Sequence, residues 1–415
     1  MLGTGIVYVM TSVVTDTGNI HCGPAIGMSD GTAHGMVRWG LFRDLRHPRQ
    51  IVSNITPNWY ASIMGTAIVA VAATSLPLQF PGFRVLATSV WVVAVILLVG
   101  LTAATGLHWR YYRATARGHL LDPVMANFYG APPMAMMTVG AGALLLGKDI
   151  FGLQLALQLD WVLWFTGTIM GLACATVVPY LILTRHQCKP ESAFGGWLMP
   201  VVPPMVSAST GALLIPYAPP GPLRVTMLLC CYAMFGMSLL LSAIVITLIC
   251  YRLARHNVGP ARMVPALWIV LGPLGQSITA ANLLGGVAPE AVPAPYSTAL
   301  QAFGVLYGLP VLGFALLWAG IAGTITYRTA RVSLPFSLTW WSFTFPVGTC
   351  VTGTSALALS TGSTGLAVGA VILYLLLLLA WCTVATRTAR GSLRGRLFLS
   401  AAPAQRVTGP VTACA

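Results

Sequence analysis

Apolar residues fall along this chain in ten long blocks, near 58–79, 84–107, 129–147, 157–184, 194–217, 224–251, 264–286, 297–327, 336–359 and 363–386. Each is close to the roughly twenty residues that an α-helix needs to cross a hydrocarbon core. The only Asp, Glu, Lys or Arg inside them are Arg84, Asp160 and Arg224, all at or near block ends. Asp160 is expected in the outer loop that precedes the fourth block.

The blocks are of two kinds. Even-numbered ones are plain, as in Val90–Leu101 and Val371–Trp381, where Leu, Val and Ala mix with aromatics. Odd-numbered ones carry Gly or Pro with polar neighbours, around Gly65, Pro132, Pro203, Pro273 and Pro346. These five markers are 67, 71, 70 and 73 residues apart, a loose fivefold repeat of one helical hairpin. Pro inside a helix removes a backbone hydrogen bond and kinks the axis. The freed carbonyls are costly in lipid unless they face protein or a wet cavity. The pattern therefore predicts an all-α membrane protein of ten transmembrane helices in five hairpins. The kinked odd helices should line a central pore and the plain even ones should face lipid.

Composition fits this class: 57% of the 415 residues are hydrophobic and 7% are charged, against roughly 25% charged in soluble domains. The net charge of +14 reads as membrane topology and not as nucleic-acid binding, because the basic residues sit in short loops between apolar blocks. With ten spans, nineteen of the 22 Lys and Arg fall on one side, and only Arg84, Lys148 and Arg224 on the other. Basic loops mark the cytoplasmic face, so both termini are expected there. Residues 1–55 are read as a cytoplasmic extension, 56–388 as the membrane domain and 389–415 as a cytoplasmic tail.

Candidate chemistry is sparse. The seven histidines, His21, His34, His47, His108, His119, His186 and His256, lie in loops or at block ends, and no two carboxylates share a block. That argues against an enzyme, which needs paired catalytic groups. It also argues against a proton relay, which needs buried Asp, Glu or His. The nine cysteines include no CxxC and are read as small apolar residues; no metal or cofactor is expected. The pore would be neutral, lined by Ser62, Gly65, Thr66, Pro132, Thr138, Pro203, Ser207, Pro273, Gln276, Thr344, Pro346 and Thr349. Its selectivity would come from hydroxyl and amide donors, helix N-termini and basic mouths. The pairs Gly167/Gly171, Gly304/Gly308 and Gly365/Gly369 on even helices suit close helix packing.

Three strings resemble the family that joins bacterial tellurite-resistance channels, fungal malate permeases, sulfite efflux pumps and plant slow anion channels. They are Trp59-Tyr60-Ala61-Ser62-Ile63-Met64-Gly65-Thr66, Asp122-Pro123-Val124-Met125 followed by Phe128-Tyr129-Gly130 and Pro132-Pro133-Met134, and Trp340-Trp341-Ser342-Phe343-Thr344-Phe345-Pro346. The resemblance covers about 55–390. It implies ten helices, one pore per subunit, a homotrimer in the lipid bilayer and small anions as substrates. A C4-dicarboxylate such as malate is favoured. Efflux of sulfite or another oxyanion, as in a tellurite-resistance-type channel, is the alternative, and a membrane scaffold that moves nothing is the reading of another class. The resemblance also implies that a ninth-helix Phe plugs the pore, with Phe345 the better match and Phe343 the alternative. Side chains two apart on a helix point about 200° apart, so only one of the two can face the axis. A kink at Pro346 would turn its neighbour Phe345 inward.

Overall fold

The computed structural model describes residues 44–45, 49–185 and 192–399. Expectations resting on His21, His34, His47, His186, Cys22, Cys188, Cys414, Arg38, Arg43, Arg46, Lys189 and Arg406 lie outside the described residues, as do most of the N-terminal extension and the distal tail. The described residues contain helices and no strand. In chain order the α-helices are α1 (Arg49–Ser53), α2 (Tyr60–Ser75), α3 (Phe83–Tyr111), α4 (Arg113–Leu121), α5 (Ala131–Gly142), α6 (Lys148–Phe151), α7 (Leu153–Thr184), α8 (Pro203–Leu214), α9 (Pro222–His256), α10 (Leu271–Val287), α11 (Tyr296–Val332), α12 (Phe345–Thr361) and α13 (Thr364–Leu393).

Helices α3, α7, α9, α11 and α13 are long, 29 to 37 residues. Each buries one narrow stripe, such as Ala156, Asp160, Trp164, Gly167 and Gly171 of α7. The rest of each surface is apolar and exposed, which suits lipid and not water. Helices α2, α5, α8, α10 and α12 are shorter, 12 to 17 residues, and are buried on nearly every side. They touch in a closed ring, α2 to α5 to α8 to α10 to α12 and back to α2. Each long helix packs over the junction between two ring members: α3 on α2 and α5, α7 on α5 and α8, α9 on α8 and α10, α11 on α10 and α12, α13 on α12 and α2.

Seven helical stretches among the described residues are by themselves long and apolar enough to cross a membrane. The other three predicted spans fall on α2, α8 and α12, which are too short alone and are preceded by 3-10 turns at Pro57–Trp59, Gly195–Leu198 and Leu338–Phe343. One expectation changes, and it concerns proline. In the ring helices it opens the α-helix and does not kink it: Pro132 and Pro133 begin α5, Pro203 and Pro204 begin α8, and Pro346 begins α12, while Pro273 sits in the first turn of α10. The first turn has no partner for an N–H, so proline costs nothing there. Within α-helices the interior prolines are Pro179 and Pro310, of the outer helices α7 and α11, while Pro265 lies inside the 3-10 stretch Ala261–Val270 before α10.

Glycine lets outer and ring helices approach. A Cβ at Gly167 would lie 3.0 Å from the Pro133 carbonyl oxygen, and one at Gly304 3.1 Å from Asn282 Cα. Gly365 and Gly369 have ordinary clearance, with nothing nearer than 3.8 Å. At the ends, Trp59 stacks on Phe398 with centroids 4.9 Å apart and Asn54 donates to the Phe398 carbonyl at 2.8 Å. Both described ends therefore meet on one side. The last helix runs on to Leu393, past the expected boundary at 388.

Candidate functional site

The ring encloses two small cavities, of about 30 and 50 Å3. The first is bordered by Ala61, Met64, Met134, Val202, Pro273 and Pro346, with Phe128 and Met199 from the turns beside them. The second is bordered by Ile68, Thr138, Ser209, Thr210, Gln276, Thr279 and Thr352, among others. Each draws on all five ring segments. Neither has a charged residue in its lining. One side chain belongs to both linings: Phe345, which is 3% exposed.

Local geometry fixes that ring. The 3-10 turn Leu338–Phe343 changes to α12 through Thr344, whose hydroxyl donates to the Trp341 carbonyl at 2.7 Å. Gly65 makes room for this junction, since a Cβ there would be 2.7 Å from the Trp341 ring. Gly348, one turn on, does the same against Ile68, where the clearance would be 2.5 Å. The two phenylalanines separate across this junction from 3-10 turn to α-helix. Phe343 is partly buried in an outward cleft, edge-on to Trp268 and Trp340 at 5.5 and 5.7 Å.

Of the other predicted residues, Thr138, Pro273, Gln276 and Pro346 border the cavities. The rest are buried but turned elsewhere. Ser62 donates to the Trp59 carbonyl and Gly65 abuts Trp341. Thr66 accepts from Trp381 of α13. Pro132 and Pro203 open their helices. Ser207 accepts from Thr168 of α7 at 3.0 Å. Thr344 lies under Gly65, and Thr349 donates to the Pro346 carbonyl at 2.7 Å.

Sequence reasoning missed Thr279 and Thr352, whose hydroxyls are 2.7 Å apart in the second cavity. It also missed the apolar wall of Met64, Met134 and Ile68. Their spacing to the marker residues held the signal: Thr279 lies three residues after Gln276, on the same helix face.

Most lining hydroxyls donate to their own helix: Thr138 to Met134, Ser209 and Thr210 to Val206. Gln276 is the one amide in the lining, and its Nε2 donates to Ser209 Oγ. All five ring α-helices begin beside the first cavity, near Ala61, Met134, Val202, Gly272 and Phe345. The first amides of α2, α5 and α10 are already taken, donating to carbonyls of the 3-10 turns before them.

Asp160 is not in an outer loop. It lies two turns inside α7, fully buried, and neither carboxyl oxygen has a hydrogen-bond partner. The helix begins at Leu153, earlier than the apolar block suggests, and Gly140 of α5 leaves the space; a Cβ there would be 2.6 Å from Oδ1. The sequence argument against a proton relay rested on the loop placement and no longer holds.

The family model described as the voltage-dependent anion channel matches residues 54–389. A sulfite efflux pump of Arthroderma otae is 27% identical over 310 residues, 73% of this chain and 82% of that protein. A sulfite efflux pump of Trichophyton rubrum matches to the same extent. An uncharacterized transporter of Methanocaldococcus jannaschii is 27% identical over 305 residues, 72% of this chain and 83% of that protein. The match spans every ring helix and every long outer helix but the last four residues of α13, and on it the chain belongs to the voltage-dependent anion channel family.

Proposed function

We propose that this multi-pass membrane protein passes small anions through the space inside the helix ring, with Phe345 as the constriction. The observation that carries the reading is the position of Phe345 as the shared wall of two cavities, each bordered by all five ring segments. In this reading each 3-10 turn and its α-helix together make one crossing. That gives ten spans in five hairpins and a pore lined by the odd ones, with both termini on the basic, cytoplasmic side. The assembly is a homotrimer, as the resemblance implies.

An aromatic ring across a narrow neutral passage blocks it by filling and by dewetting. Anions are favoured over cations by arginines at the mouth. The similarity to fungal sulfite efflux pumps moves the substrate from a C4-dicarboxylate toward a small oxyanion such as sulfite. Malate remains the second reading, supported by the family resemblance alone. Purified protein in liposomes, assayed for sulfite, nitrate, chloride and malate flux, tests both. Sulfite is expected to move fastest; malate moving fastest selects the second reading, and no flux of any anion defeats the proposal.

Asp160 stands behind the passage. Thr138 and Ala141 of α5 border the second cavity, while Gly140, which Asp160 touches, lies about 200° and 100° around the helix from them, respectively. Helices α5 and α8 on either side carry no ionisable side chain. The carboxyl therefore has no path to the passing anion. Asp160→Asn is expected to keep the flux and its pH profile, measured in liposomes between pH 5.5 and 8. A flattened profile would place a proton relay on α7 and turn the reading from channel to coupled transporter.

A further inference from the structure

Helices α11 and α13 do not close over α12. Between them runs an apolar cleft of about 430 Å3, bordered by Ala315, Ala319 and Thr326 of α11 and by Leu373, Ala380 and Val384 of α13. Trp268, Trp340 and Phe343 close one end, and Val347 and Cys350 of α12 form the floor. We propose that this cleft binds one acyl chain of an anionic phospholipid, with the phosphate on Arg387.

Length is the first argument. The lining runs from Ala315 to Thr326 on α11 and from Leu373 to Val384 on α13, which is about 16 Å on either helix at 1.5 Å per residue. One leaflet of the hydrocarbon core is about 15 Å deep. The cleft therefore spans one leaflet and stops.

Charge is the second. Just past the end of the cleft come Arg328 and Arg331 on α11 and Arg387 and Arg390 on α13, and neither helix contains Asp or Glu. The Arg387 guanidinium carbon lies 4.7 Å from the centroid of Trp340, a wall of the cleft. Among the described residues no carboxylate pairs with it. A cation held on an aromatic face at the mouth of a dry trench is placed for a phosphate.

Polarity selects the occupant. The few polar groups in the cleft are already bonded: Thr326 donates to Ala322 at 2.7 Å and accepts from Trp268 at 2.9 Å, and Thr383 donates to Leu379 at 2.8 Å. Nothing in the walls asks for a polar ligand, and a hydrocarbon chain satisfies them.

The site does not depend on what the ring conducts, so the test is a binding measurement. The full-length protein is delipidated in detergent, mixed with phosphatidylglycerol or phosphatidylcholine of equal chain length, and examined by native mass spectrometry. Wild type is expected to retain one phosphatidylglycerol per chain at least tenfold better than phosphatidylcholine. Arg387→Gln, an exposed substitution, is expected to remove that preference and leave both lipids bound equally. Leu376→Trp, at the exposed rim, is expected to exclude both. Should Leu376→Trp fail to give folded protein, Ala380→Leu fills the same trench from inside. Equal retention by wild type, Arg387→Gln and the filled variant overturns the proposal. So does a filled variant that keeps its lipid but loses its oligomeric mass, which would make the cleft a subunit contact.

Discussion

Phe345→Ala is expected to raise anion flux by at least tenfold in liposomes. The side chain is the shared wall of the two central cavities and is almost fully buried. Removing the ring joins them into one space with no charged group and no other aromatic shared by both linings. A tenfold rise corresponds to a barrier lowered by only about 1.4 kcal/mol, and a ring that must swing out of a packed wall for each opening presents at least that much. The stability cost is set against this. Phe→Ala in a filled core costs about 3–5 kcal/mol, but here the ring borders empty space on two faces, so a cost at or below the low end is expected. Phe343→Ala is the matched control. Its ring stacks edge-on with Trp268 and Trp340, contacts of about 1 kcal/mol each beyond simple burial, and it touches neither central cavity. It should lose stability and leave flux unchanged. Equal flux from wild type and a folded Phe345→Ala would move the constriction elsewhere or remove it.

The sequence carries the two classes of helix plainly, because lipid-facing and protein-facing helices differ in kind. A helix such as α13, exposed over most of its surface, can use Leu and Val almost without limit. A helix such as α10, in contact with α8, α9, α11 and α12, needs small residues where backbones approach and polar ones where carbonyls are left over. Those needs write Gly275, Gln276 and Ser277 in a row. What the sequence hides is angle and level. Ser207 and Ser209 look alike in the string, yet Ser207 accepts from Thr168 behind the ring while Ser209 borders the second cavity. Two residues are about 200° on a helix, and nothing local says which of them faces inward.

Proline was legible as punctuation but not as a kind of punctuation. A proline that opens an α-helix after a 3-10 turn and one that kinks a continuous helix share the same apolar surroundings. Asp160 was hidden for another reason. The acid is tolerated because Gly140, twenty residues away and on another helix, leaves it room, and such a pairing has no signature in either segment.

Gly275→Ala is expected to destabilise the protein strongly. Helix α10 packs more extensively on α12 than any other two helices pack on each other, and Gly275 is where their backbones meet. A Cβ at 275 would sit 2.4 Å from the Cys350 amide nitrogen and 2.5 Å from the Thr349 carbonyl carbon. These are backbone atoms of α12 that no rotamer change can move. The Gly353 side of the contact is as close, with the Gly275 carbonyl oxygen 2.9 Å from where a Cβ would be. Overpacking a core with one methyl costs about 1–3 kcal/mol when side chains can yield; with backbone on the far side the upper end is the floor. The displaced segment also carries Phe345, five residues from Cys350, so the variant that does fold should conduct differently from wild type. Gly286 on the same helix is the control, since nothing lies within 4 Å of its added Cβ. Gly286→Ala should be neutral or stabilise by up to about 1 kcal/mol through helix propensity. Thermal unfolding of both variants in the same detergent, followed by size-exclusion profile, separates the two: a Gly275→Ala protein as stable as Gly286→Ala would show that α10 and α12 do not meet at this glycine.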